Sequence, residues 1–360
     1  MRKATSLAGV LMLLAACDGA GTGGKGQPAA TAQDAASTAA EAAPSPGELK
    51  TFGDWAVGCD NVATCKAAAL APEGGEFPAV LMSFTRAAGP NGAMTVAFLS
   101  SEAIPLPLRI AVDGKPIGEG GRTDDDATRI EGDLARRIVA AAADGRTLSV
   151  ADGGNASTST ISLAGLAAAL RYVDEKQGRS GTTGALVARG SATQSGAAPA
   201  APVVTALTPG GTAVAPSPEQ LAQFRKSASC DDELAANSAQ PGDVHALGGG
   251  KTLLLLPCSA GAYNVTALVY VSGEGGFQPA RFDIPPGMGE GSGIANVVNG
   301  QWQDGILTSF DKGRGVGDCG VSAAYAWDGT RFRLVEQAAM SECRGNTDYI
   351  RTWHAEVRRR

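Results

Sequence analysis

Ala323-Ala324-Tyr325-Ala326-Trp327-Asp328-Gly329-Thr330-Arg331-Phe332-Arg333-Leu334-Val335 carries the clearest structural signal in the chain. An apolar and aromatic run reaches Asp-Gly, and an alternating run leaves it. Asp-Gly between two such runs marks a β-hairpin, because both residues enter the positive-φ region at small cost. The same pattern recurs nearby. Trp302-Gln303-Asp304-Gly305 leads into Ile306 to Phe310, and Val265 to Val271 returns through Ser272-Gly273-Glu274-Gly275-Gly276 to the run Phe277 to Ile284. Leu253 to Leu256 falls far short of the about 20 apolar residues that span a bilayer and reads as a buried strand. Residues 219–360 are therefore expected to form an antiparallel β domain.

Toward the N-terminus the runs are shorter: Trp55 to Val57, Val80 to Phe84, Met94 to Leu99, and Leu108 to Val112 ending at Asp113-Gly114. Helical periodicity enters late. Leu163, Leu166, Leu170 and Val173 share one face of a helix predicted over 162–177, with Ser162 as N-cap and Gly178 as its stop. Leu134 to Ala143 predicts a second helix. Residues 49–190 are thus expected to be a β-rich domain, an antiparallel sheet or sandwich with one or two covering helices. The chain as a whole reads as β-rich α+β. Between the two domains, residues 191–218 contain Ala198-Pro199-Ala200-Ala201-Pro202 and Ala215-Pro216-Ser217-Pro218 and read as an Ala/Pro-rich linker.

The first residues set the expected compartment. Arg2 and Lys3 precede an apolar run from Leu7 to Ala16, the pattern of an export signal over residues 1–16. Leu14-Ala15-Ala16-Cys17 resembles a bacterial lipobox, in which the Cys17 thiol accepts a diacylglycerol after cleavage. Residues 17–48 then form the lipid anchor and a tether with too little apolar surface to fold. The protein is expected to face the periplasm, held at a membrane by the lipid on Cys17. Asp18, directly after the lipid site, favours the inner membrane.

Composition narrows the function classes. Thirty basic and thirty-six acidic residues give a net charge of −6, which argues against a nucleic-acid partner. His245 and His354 are the only histidines in 360 residues, so a histidine-built metal site is not expected. Seven cysteines less Cys17 leave an even six, which reads as three structural disulfides in an exported chain. With two cysteines in the first domain and four in the second, three pairings remain. The nearest-neighbour set is Cys59–Cys65, Cys230–Cys258 and Cys319–Cys343.

Phe52-Gly53-Asp54-Trp55-Ala56-Val57-Gly58-Cys59-Asp60-Asn61 followed by Cys65-Lys66-Ala67 resembles the opening of an uncharacterised family of bacterial envelope proteins, catalogued as a domain of unknown function. Leu163-Ala164-Gly165 through Gly181-Thr182, Gly261-Ala262-Tyr263-Asn264, Gly317-Asp318-Cys319-Gly320, Trp327-Asp328-Gly329 and Glu342-Cys343-Arg344-Gly345 fit the same family. The N-terminal half is also distantly similar to invasion-associated locus B proteins. The resemblance implies a fold and a compartment, and no activity.

Candidate chemistry is sparse. Ser309-Phe310-Asp311-Lys312 matches Ser-x-x-Lys, yet it ends a predicted strand, whereas a lysine-activated serine sits at a helix start. Lys312 to Gly320, with Lys312 and Arg314, has the glycines and cations of an anion cradle but lacks the strand-to-helix context of a nucleotide loop. Asp124-Asp125-Asp126 with Glu131 and Asp133 lacks calcium-loop spacing. Trp55, Trp302, Trp327 and Trp353 read as core anchors. Gln177, Arg179 and Thr182, after the helix end, are candidate partner contacts together with Lys312 and Arg314. No catalytic residue, cofactor or metal is expected. The reading is a non-catalytic binding or envelope-maintenance lipoprotein whose partner is an envelope protein or glycan. The alternatives are a hydrolase of an envelope polymer working through paired carboxylates, or an inhibitor presenting the disulfide-pinned loop 312–320.

Overall fold

The computed structural model describes residues 43–100, 102–124, 127–154, 158–193, 196–231, 242–286 and 294–360. The expected signal peptide, Cys17, Asp18 and nearly all of the tether lie outside them. Among the described residues no helix is long and apolar enough to cross a membrane.

The N-terminal half runs β1 (Leu49–Phe52), β2 (Trp55–Cys59), β3 (Cys65–Ala69), β4 (Leu81–Arg86), β5 (Met94–Leu99), β6 (Leu108–Val112), β7 (Lys115–Gly120), β8 (Arg122–Asp124), β9 (Ala127–Glu131), α1 (Gly132–Ala143), β10 (Thr147–Ala151), β11 (Thr158–Ser162) and α2 (Leu166–Lys176). Seven strands pair in the order β1-β2-β3-β4-β5-β9-β8, and four more in the order β11-β10-β6-β7. One core joins the two sheets and both helices. Trp55, Phe84 and Phe98 meet Ile138 of α1, Leu170 and Val173 of α2, and Ile110 and Leu148 of the smaller sheet.

The 163–173 periodicity does form a helix, but its N-cap lies three residues past Ser162, at Gly165 with φ 95°. Ser162 Oγ instead donates to Asp54 Oδ2 at 2.6 Å, which holds the segment in strand until β11 ends. Gly178, at φ 63°, takes the left-handed conformation expected where a helix stops.

The C-terminal half runs β12 (Val203–Ala206), α3 (Pro218–Ser227), β13 (Asp243–Gly248), β14 (Lys251–Ala260), β15 (Val265–Gly273), β16 (Gly276–Pro279), β17 (Asn296–Val298), β18 (Gln301–Gln303), β19 (Ile306–Lys312), β20 (Gly320–Trp327), β21 (Phe332–Met340), β22 (Ile350–His354) and β23 (Glu356–Arg359). β13 to β17 make one five-stranded sheet and β18 to β22 another. They face each other through Leu253, Leu255, Val269, Leu307, Tyr325, Trp327 and Phe332. The protein is mostly β, with antiparallel sheets in both halves, as the fold class predicts.

Two details depart from the sequence reading. The stretch 191–218 holds a strand, because the β-branched pair Val203-Val204 of β12 pairs in parallel with β23 and buries Val204 and Ala206. α3 is a helix inside the segment read as nearly all β. Its signals were local: Ser217 and Gln220 form a reciprocal capping box and Pro218 occupies the first turn. Its Leu221 and Phe224 cover Leu254, Leu256 and Tyr270 on the outer side of the β13–β17 sheet.

The Asp-Gly turns divide by geometry. Asp304-Gly305 and Asp113-Gly114 have positive φ at both residues, as a two-residue turn requires. The turn after Trp327 is longer, 328–331. There the Asp328 carboxylate accepts from the backbone N–H groups of Thr330 and Arg331, at 2.7 and 2.9 Å.

Candidate functional site

Opposed residues of an antiparallel sheet share a face, so the register of β18–β22 maps its outer side. Three rows cross it: Thr308 opposite Ala324, Phe310 opposite Ser322 opposite Ala338, and Lys312 opposite Gly320 opposite Met340. At one end Ala324 and Ala326 are covered by Val204 and Ala206 of β12. At the other, Met340 and Ile350 are covered by Ala56 and Ala68 of the N-terminal half. Between these covers the Phe310–Ser322–Ala338 row stays open. Its two small side chains leave the floor low, and a cleft of about 750 Å³ lies over it. That volume is in the range of small-ligand sites, roughly 300–1,000 Å³.

The walls are Tyr349 and Thr347 on one side, Gln301 on another, and Val316 on the loop above. Tyr349 meets Phe310 edge-on, ring centres 5.6 Å apart, and its hydroxyl donates to Gly317 O at 3.2 Å. Burial, reinforced by the nearby carboxylates of Asp318 and Asp311, pushes the Tyr349 phenol up to about 12, so it stays neutral. The Lys312 ammonium sits 5.5 Å from the centre of the Phe310 ring, a cation–π contact. Among the described residues no carboxylate lies within ion-pair distance of Lys312. Val316 is 59% exposed at the rim.

The loop above the cleft is braced. Cys319 is bonded to Cys343, and Arg314 makes a bidentate pair with Asp318, Nε to Oδ1 at 2.7 Å. Asp318 also accepts from Gly345 N at 2.6 Å, which ties the two disulfide-linked loops a second time. The Arg314 pair, helped by the Gly345 N–H and working against partial desolvation, holds the Asp318 carboxyl below its ordinary range. Arg314 also lies 5.2 Å from the Phe77 ring. The two cations read from the sequence therefore separate. Arg314 closes the loop, and Lys312 reaches the cleft. Ser309 faces the other way: its buried Oγ bonds Val298 N at 3.0 Å on the core side, so strand alternation parts it from Lys312.

Gln177, Arg179 and Thr182 are turned inward. Gln177 Nε2 donates to Ala63 O and Arg86 O, at 2.8 and 2.9 Å, and its Oε1 accepts from Arg179 Nε. Arg179 is fully buried and donates through Nη2 to Ala87 O and Gly89 O. Thr182 Oγ1 donates to Arg179 O at 2.7 Å. These residues clamp the loop after α2 onto the β4–β5 hairpin. All three are buried, and most of their polar atoms are bonded within the chain.

The motif residues that carry the family resemblance meet at the seam between the halves. Arg344 donates to Ala71 O at 2.7 Å, to Gly53 O at 2.9 Å and to Asp54. Arg351 pairs with buried Asp60, Asn346 Nδ2 donates to Ala69 O, and Asn61 brackets the backbone of His354. Lys66 pairs with Asp348, and burial lowers the lysine pKa against the pull of that carboxylate. Cys59–Cys65 closes the turn that presents Asp60 and Asn61, and Cys230–Cys258 staples the end of α3 to β14.

The remaining candidates are accounted for locally. Trp55 and Trp327 are buried in the two cores, and Trp302 and Trp353 pack against the second. His245 lies beside Trp302. Asp124 pairs with Arg122 and Arg129, while Asp125 and Asp126 lie outside the described residues.

Comparison with known proteins adds three findings. A family model described as "Protein of unknown function (DUF1176)" matches residues 49–358. The chain is 28% identical to the uncharacterised protein YpfG of Escherichia coli (strain K12), over 82% of this chain and 88% of that one. It is similar at 22% identity to the crystal structure of invasion associated protein b from Bartonella henselae, over 36% of this chain and 99% of that one, with a TM-score of 0.30.

Proposed function

The chain belongs to the DUF1176 family of unknown function, and from that premise we propose that it is a non-catalytic binding module of the bacterial cell envelope. In this reading Cys17 carries the lipid, residues 18–48 lift the folded part from the membrane, and the cleft over Phe310, Ser322 and Ala338 receives the ligand. One observation carries it. A preformed concave site stands where a sheet face covered at both ends is left open by small residues. It presents an aromatic ring, a neutral phenol, hydroxyls and an ammonium without an acidic partner. Among the described lining residues there is no carboxylate.

The test is photo-cross-linking in living cells. A photoreactive side chain replaces Gln301 at the cleft edge or, as a control, Glu274 on an exposed turn of the other sheet. Adducts from position 301 and none from 274 are expected. Equal adducts, or none from 301, overturn the cleft as the binding site. The anchor is tested separately: labelled palmitate is expected on the chain and lost in Cys17→Ala, and a label that persists in that variant refutes it.

A further inference from the structure

The composition of the cleft specifies more than a generic ligand. Its polar groups are mostly neutral: the side chains of Gln301, Ser322 and Thr347 make no hydrogen bond within the chain among the described residues, and the Tyr349 oxygen, already donating, keeps lone pairs to accept. Such groups match a partner rich in hydroxyls and amides, which both donates and accepts. The floor is one aromatic ring flanked by alanine and serine, a flat apolar platform for the ring face of a sugar. One ammonium, Lys312, lies over that ring, 5.5 Å from its centre. A lone cation in a cleft with no acidic lining residue calls for one negative group on the ligand.

We propose that the cleft binds an acidic saccharide, with a sugar ring against Phe310 and the low Ser322–Ala338 floor, its hydroxyl and amide groups on Gln301, Ser322 and Thr347, and its carboxylate on Lys312. The proposal rests on the reading of the cleft as a binding site and names its ligand class. The braced loop above fits this role. The Arg314–Asp318 pair and the Cys319–Cys343 bond hold Val316 and Gly317 over the platform, so little ordering remains to be done on binding.

Calorimetric titration of the purified full chain tests it with two matched probes. One is the disaccharide of N-acetylglucosamine and N-acetylmuramic acid with a free lactyl carboxylate. The other is N,N′-diacetylchitobiose, which lacks that group. The acidic disaccharide is expected to bind about tenfold tighter, the scale of one charge-assisted hydrogen bond. Lys312→Met is expected to abolish the difference between the two sugars. Ala338→Leu, which raises the floor without touching Lys312, is expected to weaken both sugars. Equal affinities, or no binding of the acidic sugar, overturn the proposal. Tighter binding of trialanine with a free carboxyl terminus replaces the saccharide by a peptide. Should neither sugar bind while cross-links still form from position 301, the ligand class fails and the binding site stands; loss of both removes the site as well.

Discussion

Loop 343–349 and the strand after it serve two regions with opposite chemistry. On one side Arg344, Asn346, Asp348 and Arg351 form the seam, each bonded to the N-terminal half. On the other, Thr347 and Tyr349 open onto the cleft, where Lys312 has no acidic partner among the described residues. Charge at the seam is paired and half-buried or buried, which suits a fixed interface, since an unpaired buried charge is costly. The lesson is that motif residues such as Asp54, Asp60 and Arg344 hold the halves together, whereas the floor of the open cleft, Phe310, Ser322 and Ala338, lies outside the motifs.

That contrast is sharpest where it predicts stability. Replacing Cys319 and Cys343 with serine is expected to cost about 3.5 kcal/mol, the chain-entropy value for a loop of this length. A urea titration measures it, and a cost below about 1 kcal/mol would show that Asp318 alone braces the loop. Arg344→Ala removes three bonds to the N-terminal half and is expected to cost about 2–3 kcal/mol, with ligand capture at position 301 retained. Loss of capture in a folded Arg344→Ala protein would break the separation of seam from cleft.

Acid should act between these two. The folded Asp318 carboxyl titrates below its unfolded value, so its contribution is fully present above the ordinary carboxylate range of about 4. That contribution fades as pH falls through the lower, folded value. Asp318→Asn is therefore expected to lower stability at neutral pH and to flatten the decline in acid. Parallel pH profiles for variant and parent would contradict it. The smallest effect is predicted for Lys312→Met, within about 0.5 kcal/mol of the parent in urea. A larger loss would make Lys312 a structural residue and remove the contrast.

Much of the fold was legible because its signals are local. Asp304-Gly305 and Asp113-Gly114 announce their turns, and the Leu163 to Val173 spacing announces α2. Ser162 was misread as its cap because its partner, Asp54, is more than a hundred residues away in sequence. α3 was overlooked although Ser217-Pro218-Glu219-Gln220 spells a capping box. β12 was hidden because an Ala/Pro-rich stretch pairs only with the far C-terminus. At the site, Lys312 was visible as a cation in a glycine loop. Its separation from Ser309 follows from strand alternation, which sequence spacing does not display. Ser322, Ala338 and Tyr349 gave no signal, since the cleft arises from the register of three strands and from what covers their ends.

The claim that the open row of the β18–β22 sheet is the binding site meets its most direct test in Ala338→Leu. Capture at position 301 and the urea midpoint are measured on the same variant. The account predicts that capture is lost while stability stays within about 1 kcal/mol of the parent. Undiminished capture with the floor filled would contradict it.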